Sequence, residues 1–81
     1  MEVFVLLCHY KGMYALAEGY RKELQGQAVT VVSWGSTHKL GTGYVALHWM
    51  GQAPAAFAQS LDNDPRIYEY ATYPVNQKRQ A

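Results

Sequence analysis

Three histidines, one cysteine and six acidic residues are a thin stock of reactive groups for 81 residues. What they can do together depends on which face of which element each one occupies. Side chains alternate across a β-strand. Applied to the apolar segments of this chain, that rule puts His9, Ser33, His48 and Glu69 on one common face, with Tyr44 beside them. If the first and third strands run side by side in parallel and the fourth flanks the first, His9, His48 and Glu69 meet at the mouth of a cavity. Two imidazoles and a carboxylate can hold a metal or move protons near neutral pH. A histidine at a strand end, however, more often serves a backbone hydrogen bond. A single His or Glu lining an apolar pocket, with Tyr44 or Ser33 as its polar partner, is therefore the better-supported arrangement. No metal or cofactor is expected.

The other reactive types lead less far. Cys8 lies inside an apolar run, where a lone thiol acts as a small buried hydrophobe. The segment Gly35 to Gly43 holds Ser36, Thr37, His38, Lys39 and Thr42 among three glycines, so its amides can cradle an anion. It lacks a GKS or GKT sequence and no helix follows it, so turn geometry explains its composition. A net charge of +1 gives no field to hold a phosphate backbone or an anionic membrane. Val3, Val5 and Leu7 cannot stack on bases, and the third strand carries no basic octamer of the RNA-binding type. Nucleic acid and membrane are not expected partners.

The elements that must position these groups follow from periodicity. Val3 to Cys8 is apolar on both strand faces, as in a central strand covered on two sides. Met13, Leu16, Ala17, Tyr20 and Leu24 form one stripe of a helix that Gly26 ends, with Glu18 and Lys22 spaced for an ion pair and Gly19 packed close to the sheet. Ala28 to Trp34 reads as a second strand with Val29, Val31 and Ser33 on one face, and Tyr44 to Met50 as a third with Tyr44, Ala46, His48 and Met50 on one face. Pro54 opens a short helix carrying Phe57 and Leu61. Ile67 to Tyr73 is the fourth strand, with Ile67, Glu69, Ala71 and Tyr73 on one face. Tyr68, Tyr70, Trp34 and Trp49 are expected in the core against the helices.

The order is βαββαβ, and its compact solution is an α+β domain over residues 1–75: a four-stranded antiparallel sheet in the order 4-1-3-2 with two helices on one face. Residues 76–81 form a polar tail expected to fray. In this architecture, and in the passage Leu61, Asp64, Pro65, Ile67 and Tyr70 from the last helix into the last strand, the chain resembles ferredoxin-like α/β-plait domains, and within them small proteins of the dimeric α/β-barrel type. That resemblance implies that two open sheet faces meet around a cavity for a small molecule or cofactor.

The residues lead to the same expectation. Val3, Val5, Leu7, Val29, Val31, Ala46 and Met50 form an apolar patch that a second copy should cover. The expected function is binding of a small, largely apolar ligand in an oligomer, with His9, Ser33, Tyr44, His48 and Glu69 as candidate ligand contacts. Alternatives are a small isomerase, hydrolase or oxygenase using His9, His48 or Glu69, and a module for assembly alone. Glu2 stands where a signal peptide carries positive charge, and the first apolar run is short, so a cytoplasmic location is expected.

Overall fold

A computed structural model describes residues 1–74. Val75 and the expected tail, 76–81, lie outside the described residues. The elements are β1 (Glu2–His9), a 3-10 turn (Tyr10–Gly12), α1 (Met13–Glu23), β2 (Val29–Ser36), β3 (Thr42–Trp49), α2 (Ala55–Asp62) and β4 (Ile67–Pro74). The four strands form one antiparallel sheet in the order β2-β3-β1-β4, which is 4-1-3-2 counted from the other edge. The architecture is α+β and compatible with a ferredoxin-like plait.

The expected helix stripe forms the inner side of α1: Leu16, Ala17 and Tyr20 are buried, and Met13 and Leu24 pack at its ends. Gly26, at φ +88°, takes the left-handed conformation that lets the chain leave the helix. Pro54 is the N-cap of α2 rather than its first helical residue, and its carbonyl accepts from Phe57 N. The ion pair on α1 joins Arg21 to Glu18 at 2.9 Å, not Glu18 to Lys22.

The core lies between the sheet and the helices. Phe4, Leu6 and Cys8 of β1 and Val45, Leu47 and Trp49 of β3 supply its floor, and Phe57 and Leu61 of α2 cover it. Phe57 is the aromatic centre, edge-on to Phe4 at 5.0 Å and to Trp49 at 5.1 Å between ring centroids, a geometry that sets a positive ring edge against a π face. The Trp49 indole Nε1 is buried with no hydrogen-bond partner among the described residues.

Strict alternation holds for β1 and β3 and fails on both edge strands. In β2 the pairing with β3 shifts between Val31 and Ser33, leaving Val32 as an extra residue. Val29 and Val31 therefore lie opposite Trp49 and Leu47 and pack on the core, not on the open face where alternation from Ser33 had put them. In β4 the pairing with β1 shifts between Leu7 and Cys8, leaving Tyr68 extra. Ile67 accordingly pairs with Cys8 and is buried on the helix side, while Tyr68 is exposed instead of entering the core. A bulge inserts one residue and inverts parity on one side of it, so a period-two reading is right on one side and wrong on the other.

Because Val32 is extra, deleting it should leave Val31 and Ser33 on their present faces in an unbroken ladder. The expected change in stability is within about 1 kcal/mol, read from urea denaturation midpoints. Loss of folding in that deletion variant would show that the bulge itself is required.

Candidate functional site

The open face is built from three cross-strand rows. Gly35, Tyr44, Leu7 and Glu69 form one; Ser33, Ala46, Val5 and Ala71 the next; Thr30, His48, Val3 and Tyr73 the third. The middle row carries only small or medium side chains, while the outer rows add the large Tyr44, Leu7, His48 and Tyr73 beside Gly35, Thr30 and Val3. Tyr44 leans across its neighbour: a Cβ added at Gly35 would lie 3.2 Å from the Tyr44 ring, so glycine leaves the space the ring uses. Glu69 is the sole formal charge in the three rows.

Ser33, Tyr44, His48 and Glu69 occupy this face as the alternation predicted, and so do Val3, Val5, Leu7 and Ala46. His9, Glu69 and His48 are not brought together. β1 and β3 run antiparallel, not parallel: Val3 pairs with His48 and His9 with Thr42. Six strand residues, about 20 Å, separate those two positions. His9 and Glu69 share the opposite end, where they border an open recess of about 630 Å³ with Leu7, Lys39, Leu40 and Thr42. Among the described residues no group of three or more His, Cys, Asp or Glu side chains can hold a metal ion.

Both open-face histidines have a local partner. His9 is the N-cap of the 3-10 turn, and its Nδ1 accepts from Lys11 N at 3.1 Å, satisfying an amide that the turn leaves free. The His48 Nε2 lies 3.1 Å from the Met1 Sδ. Burial pushes the Cys8 thiol up, which keeps it a neutral hydrophobe at ordinary pH. The anion cradle weighed for the β2–β3 loop does not need a ligand to explain it. Thr37 N donates to Thr42 O and Lys39 N to the Thr37 hydroxyl, and Gly41 turns the chain at φ +82°.

The densest polar cluster was not among the sequence candidates. Tyr20 of α1 donates its hydroxyl to Asp64 Oδ2 at 2.5 Å, and the Arg66 guanidinium lies over the Tyr20 ring at 5.0 Å. Arg66 reaches Asp64 Oδ2 at 2.7 Å and Glu23 Oε2 at 3.1 Å. A Cβ at Gly19 would sit 3.2 Å from the Arg66 Nη1, so Gly19 makes room for this arginine rather than for the sheet. Hydrogen bonds from Arg66, then from Tyr20, hold the Asp64 carboxyl well below the usual carboxylate range against the effect of its burial. Burial first, then the bond to Asp64, raises the Tyr20 phenol above its ordinary value. All the strong donors and acceptors are spent on one another, so the cluster reads as a clamp from α1 to the turn before β4. Nothing in the sequence marks it beyond Asp64 and Arg66 flanking Pro65.

Compared with protein-family models, curated proteins and solved structures, the chain has no significant match.

A carboxyl whose folded value is depressed contributes stability that is present above its unfolded value near 4 and is lost as pH falls toward the folded value. Asp64→Asn should therefore cost on the order of 2 kcal/mol at pH 7, and the gap to the wild type should narrow below about pH 4. Urea midpoints at both pH values check this; a gap independent of pH would mean that Asp64 is not the group being titrated.

Proposed function

We propose that this domain assembles through its open sheet face, packing the face against that of a second copy and enclosing a small, largely apolar ligand over the middle row. The reading is carried by the distribution of cover. Both helices lie on one side; on the other, Val3, Val5, Leu7 and Ala71 are half-buried and the small Ala46 is buried among its neighbours, with no described helix packed there. Exposed Met50 and Tyr73 extend the apolar surface. An apolar face of this kind is what a partner chain or ligand removes from water.

Size and charge favour a copy of the same chain. Four strands spaced about 4.8 Å apart, with eight residues each rising about 3.3 Å per residue, span roughly 500 Å² in projection. Side chains standing above that plane raise the accessible area toward the about 800 Å² per partner of a standard interface. A twofold interface sets one patch against itself, and a face with a single carboxylate near one end brings little like charge together. Where two such faces meet, the tall outer rows make contact first. The low middle row of Ser33, Ala46, Val5 and Ala71 is left as the wall of a slot.

Catalysis is the weaker reading, since His9 and Glu69 lie far from His48 and His9 already serves as a cap. A cytoplasmic, reducing setting fits the single buried thiol. Among the described residues no helix is long and apolar enough to cross a membrane.

Size-exclusion chromatography with light scattering should show a dimer or larger species. Val5→Glu, with its charge at the centre of the face, should give a monomer with an unchanged far-ultraviolet circular dichroism spectrum. A wild-type chain that stays monomeric at micromolar concentration would overturn the assembly reading. Native mass spectrometry of the oligomer should show added mass from a retained apolar molecule; an oligomer of bare chain mass whose apolar probes all fail to bind would leave assembly alone.

A further inference from the structure

Three residues with soft or borderline donor atoms, Met1, His48 and Met50, belong to the end of the open face away from His9. His48 Nε2 and Met1 Sδ are 3.1 Å apart, a contact between an imidazole nitrogen and a thioether, which is a poor hydrogen-bond acceptor. The third is Met50. The β1–β3 ladder ends with Glu2 opposite Trp49, and continuing its antiparallel register by one step sets Met1 opposite Met50, each one residue outside its strand. Met50 N donates to Ala28 O at 2.8 Å one residue beyond the end of β3, which continues the β2–β3 register and gives Met50 the same parity as His48. Met50 is 58 % exposed, so its thioether is not consumed by packing. Residues directly opposite on paired strands, or two apart on one strand, lie within about 5 to 7 Å of each other, a spacing that flexible methionine side chains can close.

We propose that Met1, His48 and Met50 form a binding site for a single monovalent copper ion. Thioethers are soft ligands that select Cu(I) over the harder divalent ions, and one imidazole completes a three-coordinate set. Zinc, magnesium and calcium favour thiolate, imidazole or oxygen donors and find at most one suitable ligand here. The site needs no redox step, and all three ligands come from one chain.

The test is anaerobic titration with Cu(I) supplied as its bicinchoninate complex, read by the loss of the probe's colour and by native mass spectrometry. Uptake of one ion per chain is expected, with X-ray absorption showing sulfur and a single nitrogen in the first coordination sphere. His48→Ala and Met50→Leu should each weaken binding by at least about tenfold, while Cys8→Ser leaves it unchanged. Met50 is exposed, His48 half-buried and Cys8 buried, so matching thermal melts are needed to establish that each variant is folded. No uptake, uptake lost with Cys8→Ser, or uptake that survives both His48→Ala and Met50→Leu would overturn the proposal.

Discussion

A sheet whose central strand is apolar on both sides has two faces to keep from water, and two short helices reach only one of them. In this chain β1 contributes Phe4, Leu6 and Cys8 to the side the helices cover and Val3, Val5 and Leu7, each half-buried, to the side they leave uncovered. Hydrophobic burial scales with the area withdrawn from water, so the covered side supplies most of what holds the monomer together. The bare side remains available for a partner or ligand. A domain of 81 residues buries a smaller share of its surface than a large one, which makes that second face matter more.

The two edge strands reconcile the sheet with the helices through their bulges. At Val32 and Tyr68 one residue is spent outside the alternation, and on both edges this turns an additional apolar group, Val29 with Val31 on one and Ile67 on the other, onto the core. The core gains side chains that the open face loses. What remains of the open face is narrower and centred on β1 and β3, with Thr30 and Ser33 rather than valines along its β2 edge. Bulged edges also resist pairing with further strands.

Polar groups divide into those that hold the fold and those that stand free on the face. The Tyr20, Asp64, Arg66 and Glu23 cluster ties α1 to the turn that launches β4, and His9 closes the turn after β1. These contacts join elements distant in sequence, with Tyr20 and Asp64 separated by 44 positions. On the open face, Tyr44 lies over Gly35 and His48 lies beside Met1, in opposite outer rows. The candidate chemistry is thus split between the two ends of the sheet, and the apolar middle row lies between them.

Periodicity alone was enough for the element order, for α1 and its inner stripe, and for the faces of β1 and β3, because in each of these the apolar spacing follows a single unbroken period. Tyr44 and His48 were legible as open-face residues for the same reason, and Ser33 and Glu69 because each lies on the side of its strand's bulge where the alternation had the right phase. The placement of Val29, Val31, Ile67 and Tyr68 was decided only in the assembled sheet, since a bulge is a property of how two strands pair and neither strand carries it by itself. The separation of His9 from His48 also belongs to tertiary structure: strand direction sets which ends coincide, and antiparallel β1 and β3 put them about 20 Å apart. The clamp around Asp64 was invisible in the chain because its members come from a helix and a turn that meet only when both pack on the sheet.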